Sequence, residues 1–318
     1  MRTKGLKLGQ GMITQIRSII DFLDQFFFRS IPNNVGICRF ILGSVIFYLS
    51  LMKSFELDFF RDAGMVSRES ALILLHEAVR PLFTWNFWPD QYLIFVHTAV
   101  LILSLFFALG VLGRIATAIF YCLYMGIIYR NYAVLFGADV ISSLFLFYFI
   151  LIKSNDQFSV LTYLKDKLNW TRGLQILPNE IDQMLSSAGV RLLQIQVIVI
   201  YTYTGFEKLR GNSWWNGTAL WTVLSNPQMV IWDLKWTYHF PMIIGIMTFS
   251  AILFEVFFGA AMIHPRLRSF WLLAGFAFHL MIGISMDLLP FSFVMLSVYF
   301  LFMKEFPWRL SQRMDQSS

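Results

Sequence analysis

Eight stretches of sixteen to twenty-three residues carry few charges: 36–53, 91–110, 115–130, 137–152, 189–206, 241–263, 268–286 and 288–303. A helix needs roughly twenty apolar residues to cross the ~30 Å hydrocarbon layer of a membrane. Inside that layer every backbone polar group must be satisfied within the protein, which leaves helices or a closed barrel. Unbroken apolar runs of this length point to helices. The chain is therefore read as an all-α integral membrane protein, a polytopic bundle of about eight transmembrane helices. The third and fourth runs also fit a hairpin that crosses only part of the way. Composition excludes a water-soluble alternative: 57% of residues are hydrophobic and 14% charged, against about a quarter charged in soluble domains. The net charge of +6 sits in short connections between apolar runs, so it marks membrane orientation rather than nucleic-acid binding.

Residues 12–28 place Met12, Ile16, Ile19, Ile20, Leu23, Phe26 and Phe27 on one helical face, with Gln15, Arg17, Ser18, Asp21 and Asp24 on the other. That pattern predicts an amphipathic helix lying in the membrane interface. It divides the chain into an amphipathic segment (1–29), a transmembrane domain (30–305) and a polar tail (306–318). With the N-terminus in the cytoplasm, fifteen Lys and Arg fall in inner segments and eight in outer ones. Basic residues favour the cytoplasmic side, so both termini are expected there, with an even number of crossings. Two outer segments, 54–90 and 207–240, hold seven tryptophans, among them Trp88, Trp214, Trp215, Trp232 and Trp236. They are expected to lie at the outer interface. Within the second, a short helix should start near Thr218 and end before Pro227. Cys38 and Cys122 lie inside apolar runs and read as small core residues rather than a disulfide.

Charges at membrane depth are costly, so each is a functional candidate to be weighed against a structural role. In YRNYAVLFGAD, Arg130 could pair with Asp139 at a capped helix start; alternatively Asn131, Tyr132 and Asp139 would line an outer-facing cavity. Lys208 closes the fifth run, seven residues after Tyr201 and so on the same helix face. It is either a lysine reaching up to the interface or an amine held in an apolar pocket, where a neutral form could act as a base. Glu255 sits among Phe254, Val256 and Phe257, and reads as a helix–helix hydrogen bond or a functional carboxylate. His279 lies mid-run with no second histidine at i+3 or i+4, which gives a metal site little support. No glycine-rich phosphate loop or nucleophile-elbow motif is present.

Three stretches together resemble the horizontally transferred transmembrane (HTTM) family, whose best-known members are the vitamin K-dependent γ-glutamyl carboxylases. They are YRNYAVLFGAD (129–139), YTYTGFEKLRGNSWWNGTALW (201–221), and the run from His279 to Phe291-Ser292-Phe293-Val294-Met295-Leu296. Glu255 falls where that family also has an acidic residue, and the similarity covers roughly residues 30–305. The resemblance implies a reduced quinone of the vitamin K or menaquinol type as cofactor, with O2 and CO2 as co-substrates. In the carboxylases a lysine in G-x-x-K-L, matched here by Lys208, acts as base on the hydroquinone. Oxygen then yields a strongly basic alkoxide that removes a γ-proton from a glutamate side chain, and the carbanion takes up CO2. Asn131, Tyr132, Asp139, Tyr201, Glu255 and His279 would surround the cofactor. This sequence departs from the carboxylases in two ways. Tyr132 stands where they carry a histidine, and they continue into a large lumenal domain whereas this sequence stops at Ser318. A smaller substrate or a small partner subunit is expected to fill that domain's role.

The expected function is a quinol-dependent carboxylase or related oxidase on the outer face of the membrane. The alternative is a partner-dependent factor for maturation of a secreted peptide, because short family members resemble the membrane component that helps produce a peptide toxin. A transporter is the third reading, weakened by the lack of inverted repeats and broken helix pairs. The short outer loops point to a bacterial inner membrane.

Overall fold

The computed structural model describes residues 34–77, 80–84, 86–167 and 177–303. The expected interfacial helix at 12–28 and the tail at 306–318 lie outside these. Among the described residues every regular element is helical. Eight long helices carry the fold: α1 (Val35–Phe55), α2 (Asp90–Ala108), α3 (Arg114–Arg130), α4 (Gly137–Phe149), α5 (Asn179–Leu209), α6 (Pro241–Ile263), α7 (Pro265–Ser285) and α8 (Leu289–Phe302). Each coincides with one of the eight apolar runs. Five of them, α1, α2, α5, α6 and α7, are long and apolar enough to cross a membrane, whereas α4 and α8 have only 13 and 14 residues. The protein is an integral, multi-pass membrane protein.

Helices that follow one another in the chain alternate in direction, as side-chain contacts between several antiparallel pairs show. On α1 and α2, Ser54 meets His97. On α1 and α8, Asn34 reaches the Phe300 carbonyl. On α4 and α5, Tyr148 donates to Gln196 at 2.9 Å. Two long segments, 56–89 and 210–240, therefore share one face of the bundle with the α3–α4 and α7–α8 turns. We call this the elaborated face. The second segment contains a helix at Ala219–Leu224 with Thr218 at its N-cap, where the Thr218 and Pro227 signals placed one. Trp215, Trp232 and Trp236 on this segment are all exposed, as interfacial tryptophans would be.

The core is aromatic and aliphatic, with Phe120, Phe145, Val190, Leu193 and Phe258 fully enclosed at the centre of the bundle. On the plain face the connections are tied by arginines. Arg39 on α1 is buried and donates to the carbonyls of Ser154, Gln157 and Phe158. Arg114 pairs with Asp182 and donates to Ser186 at 2.7 Å. That contact explains why α5 begins ten residues before its apolar run at 189. Its first turns, bearing Glu180 and Asp182, are docked by charge rather than by apolar burial. Lys153 joins the same cluster, 3.2 Å from Asp182 and 3.0 Å from Asp156. Burial works to lower its pKa, but the two carboxylates outweigh it and hold the ammonium above its ordinary value.

Candidate functional site

The last turn of α5 and the middle of α6 meet at a glycine. A Cβ on Gly205 would sit 2.9 Å from the backbone nitrogen of Val256, so only glycine lets the two backbones come this close. The approach puts the Lys208 Nζ 2.6 Å from Glu255 Oε2. Glu255 is buried and its lysine partner largely so, at 7% and 22% side-chain exposure. The ammonium also lies 5.3 Å from the centre of the Trp214 ring, a cation–π distance. Lys208 is therefore a paired, half-enclosed amine and not a lysine extended to the interface. Glu255 does bridge two helices, but to a cation. At the end of the helix Trp215 Nε1 donates to the Leu209 carbonyl at 2.6 Å, closing one of the carbonyls that a helix C-terminus leaves open.

Two turns earlier on α5, the Tyr201 hydroxyl lies between His279 Nε2 at 2.5 Å and the Tyr299 hydroxyl at 2.7 Å. All three residues are buried. Gly275 on α7 makes room for Tyr299, whose phenol occupies the space a Cβ would need. His279 Nδ1 is buried with no hydrogen-bond partner. A hydroxyl chain shared between two tyrosines and an imidazole can run in either direction, so a proton can enter or leave at its histidine end. Phe254 and Phe258 pack on the Tyr201 ring and keep the chain dry.

Beside this cluster lies an apolar hollow of about 280 Å³ between α6 and α7, bounded by Ile246, Ser250, Phe254, Ala274, Phe278 and Met281 and capped by Leu220. Phe254 and Phe278 separate it from Glu255 and His279, their chain neighbours. A lining of this kind suits a hydrocarbon ring or chain. Among the described residues no three His, Cys, Asp or Glu side chains are grouped so as to hold a metal ion.

A family model for the HTTM domain matches residues 30–308, and this decides the family. The chain belongs to the HTTM domain family. Sporulation-delaying protein SdpB of Bacillus subtilis (strain 168) is 25% identical to this HTTM protein over 117 residues, 35% of this chain and 36% of that protein. The match thus spans about a third of the length of that curated relative. No solved structure matches.

The other expected site residues of the HTTM protein fall elsewhere. Asp139 is fully buried at the start of α4 and pairs with Lys53 on α1 at 2.7 Å, with the Tyr124 hydroxyl 3.2 Å from the same oxygen. Of the two readings of this stretch, the Arg130–Asp139 pair does not form. A turn of 3-10 helix at Tyr132–Val134 separates α3 from α4, and Arg130 pairs instead with Asp62 at 2.6 Å and Asp90 at 3.4 Å. Burial tends to raise the Asp62 pKa, but the Arg68 N–H and the Arg130 guanidinium outweigh it and hold the carboxyl below its ordinary value. Asn131 donates to the Phe59 carbonyl at 2.8 Å and caps the next turn through Ala133. Tyr132 is 48% exposed, whereas Asn131 and Asp139 are fully buried.

Lys208, Glu255, Tyr201 and His279 thus gather on α5, α6 and α7, while Asp139 takes its partners from α1 and α3. Tyr299, Lys53 and Tyr124 belong to these clusters and were not singled out from the sequence. Lys53 was countable only as one more basic residue near a helix end. The two tyrosines sit in apolar runs where a phenol passes for core.

Proposed function

We propose that this HTTM protein is a membrane enzyme that acts on a lipid-soluble quinol, with Lys208 as the base, Glu255 as its proton partner and the Tyr201–His279–Tyr299 chain as the route for protons. The observation that carries the reading is the 2.6 Å Lys208–Glu255 pair set beside an apolar hollow between α6 and α7. In water such a pair is firmly ionic. In a pocket with little water the ionic form loses its hydration, which narrows the gap to a neutral amine facing a carboxylic acid. The neutral amine is the form that can accept a proton from a hydroxyl.

The residues fit a quinol on two counts. The hollow is lined by hydrocarbon, which favours a ring and its isoprenoid chain. Behind the wall of Phe254 and Phe278, His279 holds a buried nitrogen without a partner, which a quinol hydroxyl reaches only if those rings turn aside. When bound, a reduced quinone with O2 supplies the driving force for removing a weakly acidic carbon-bound proton, after which CO2 can add. Asn131, Tyr132 and Asp139 are left out of this assignment because Asn131 and Asp139 are engaged by Phe59, Lys53 and Tyr124 and Tyr132 is 48% exposed. We further propose that all eight helices span the bilayer, with both termini cytoplasmic, in a bacterial inner membrane. The excess of basic residues on the plain face and the exposed tryptophans on the elaborated face support that orientation.

The similarity to sporulation-delaying protein SdpB favours a second reading, a partner-dependent membrane factor in the maturation of a secreted peptide. Quinol epoxidation separates the two. Purified protein would be supplied with several quinols, O2, bicarbonate and a short glutamate peptide, and compared with Lys208→Ala. Epoxide from the wild type alone supports the enzyme. No epoxide from a well-folded sample moves the assignment to the partner-dependent role.

A further inference from the structure

The eight helices fall into two sets of four with one packing scheme. In the first, α1 packs on α2, α2 on α3, α3 on α4, and α4 returns to α1. In the second, α5 packs on α6, α6 on α7, α7 on α8, and α8 returns to α5. Between the sets, α1 meets α8, α5 meets α4, and α4 meets α8. Exchanging the two sets leaves this scheme unchanged. The chain path repeats too. In each set the first helix is followed by a long segment on the elaborated face, the next two connections are short, and the last helix is the shortest.

Residues repeat as well. Lys53 lies two residues before the end of α1 and Lys208 one before the end of α5. Tyr124 and His279 each lie six residues before the ends of α3 and α7. They face the third residues of α4 and α8: Tyr124 bonds Asp139 at 3.2 Å, and the His279 ring packs 5.9 Å from Phe291. Only the carboxylate has moved. The second set takes Glu255, the fifteenth residue of α6; the fifteenth residue of α2 is Ser104, and the first set uses Asp139 from its fourth helix instead. A repeat related by an axis along the membrane normal is a known membrane-protein plan, with ligand sites at or near the contact between repeats.

We propose that the chain is a tandem pair of four-helix units, and that the first unit carries its own lysine–carboxylate proton-exchange site at Lys53, Asp139 and Tyr124. Lys53 is 13% exposed and Asp139 not at all. One carboxylate oxygen, Oδ1, takes both the ammonium and the phenol. The other, Oδ2, is buried with no partner, which leaves an acceptor for a small hydroxylic ligand such as water. A further titratable neighbour is His97 on α2, 2.8 Å from Ser54, the residue after Lys53. The exchange itself is one proton moving from Lys53 Nζ to Asp139, which leaves a neutral amine and a carboxylic acid. It needs no other reactant and does not depend on the role proposed for Lys208.

Amine reactivity tests this residue by residue. Full-length protein in nanodiscs would be pulsed with acetic anhydride across a pH series and acylation read by mass spectrometry. Lys235, exposed on the elaborated face, serves as the reference. Lys53 and Lys208 should both be acylated at least tenfold less than Lys235 at pH 8. Asp139→Asn should raise Lys53 acylation tenfold or more and leave Lys208 unchanged, because a buried ammonium without its counter-ion gives up its proton. Glu255→Gln should do the reverse. Tyr124→Phe, which keeps the ion pair, should raise Lys53 a few-fold and covers the case in which Asp139→Asn does not fold. A wild-type Lys53 that follows Lys235, no rise in either first-unit variant, or an equal rise at both lysines would each overturn the proposal. A response at Lys53 without one at Lys208 would keep it while removing the base from the proposed enzyme.

Discussion

Replacing Glu255 by Gln keeps the side-chain shape and removes the charge opposite Lys208. At 2.6 Å and an effective dielectric near 20, the gross attraction in the pair is about 6 kcal/mol. Desolvation of both groups cancels much of it, and breaking a buried pair from one side typically costs about 3–5 kcal/mol. Lys208 is 22% exposed and keeps its contact with Trp214, a cation–π interaction of about 1 kcal/mol. The stranded ammonium is thus partly relieved, and the expected destabilisation is about 2–3 kcal/mol. Lys208→Met should cost a similar amount by stranding Glu255. In the double variant neither charge is left alone, so its cost should fall below the sum of the singles by about 2 kcal/mol or more. Equilibrium unfolding in mixed micelles on all four proteins closes the cycle. Additive single costs, within about 0.5 kcal/mol, would refute the argument that the two groups share a pocket from which water is largely excluded.

The Arg130 cluster should show in the acid limb of stability. Asp62 is held below its ordinary pKa in the folded protein. Its contribution is therefore present above the unfolded carboxylate pKa and is lost as pH falls through the folded one. Because Asp62 and Asp90 keep 44% and 35% exposure, Arg130→Met should lower stability at pH 7 by only about 1 kcal/mol and flatten the loss on the acid side, measured by tryptophan fluorescence. Tyr299→Phe deletes one buried hydroxyl from the Tyr201 pair and should cost about 1 kcal/mol; in the epoxidation assay it should lower kcat more than KM. Gly205→Val forces α5 away from α6 and should cost about 1–3 kcal/mol by overpacking, with Lys208 acylation rising to the level of Glu255→Gln. A Gly205→Val protein with wild-type melting and a silent Lys208 would contradict the close approach.

Helix positions were readable because burial in a bilayer demands a continuous apolar run, a signal carried by neighbouring residues. Partners were not readable for the same reason. Spacing rules reach one or two turns along a helix, whereas Glu255 is 47 residues from Lys208 and Asp139 is 86 from Lys53. Arg130 and Asp139 illustrate the error this invites. They are close in sequence and opposite in charge, but the turn at Tyr132–Val134 directs Arg130 toward the 56–67 loop and leaves Asp139 to α1. The early start of α5 had a similar cause, since its first turns are held by Arg114 and Lys153 across other connections. Lys208, Glu255 and His279 could be chosen as candidates because a charge or an imidazole among apolar residues stands out. Tyr299 could not, since nothing in FSFVMLSVYF separates a working phenol from a packed one.

The separation of each lysine from its carboxylate also bears on how the chain enters a membrane. At translation rates of about 5–20 residues per second, Glu255 is made about 2–9 seconds after Lys208, and Asp139 about 4–17 seconds after Lys53. A lone lysine costs about 2.5–3.5 kcal/mol at the centre of a spanning helix and less toward its ends, where Lys53 and Lys208 lie. Through that interval α1 and α5 are each a nascent helix with an unmatched cation near its trailing end. Each can settle only partway, with its lysine still in contact with headgroups or with the translocon. Arrival of the matching acid then lets the helix seat, so α1 through α4 and α5 through α6 are the units whose release into lipid should be concerted.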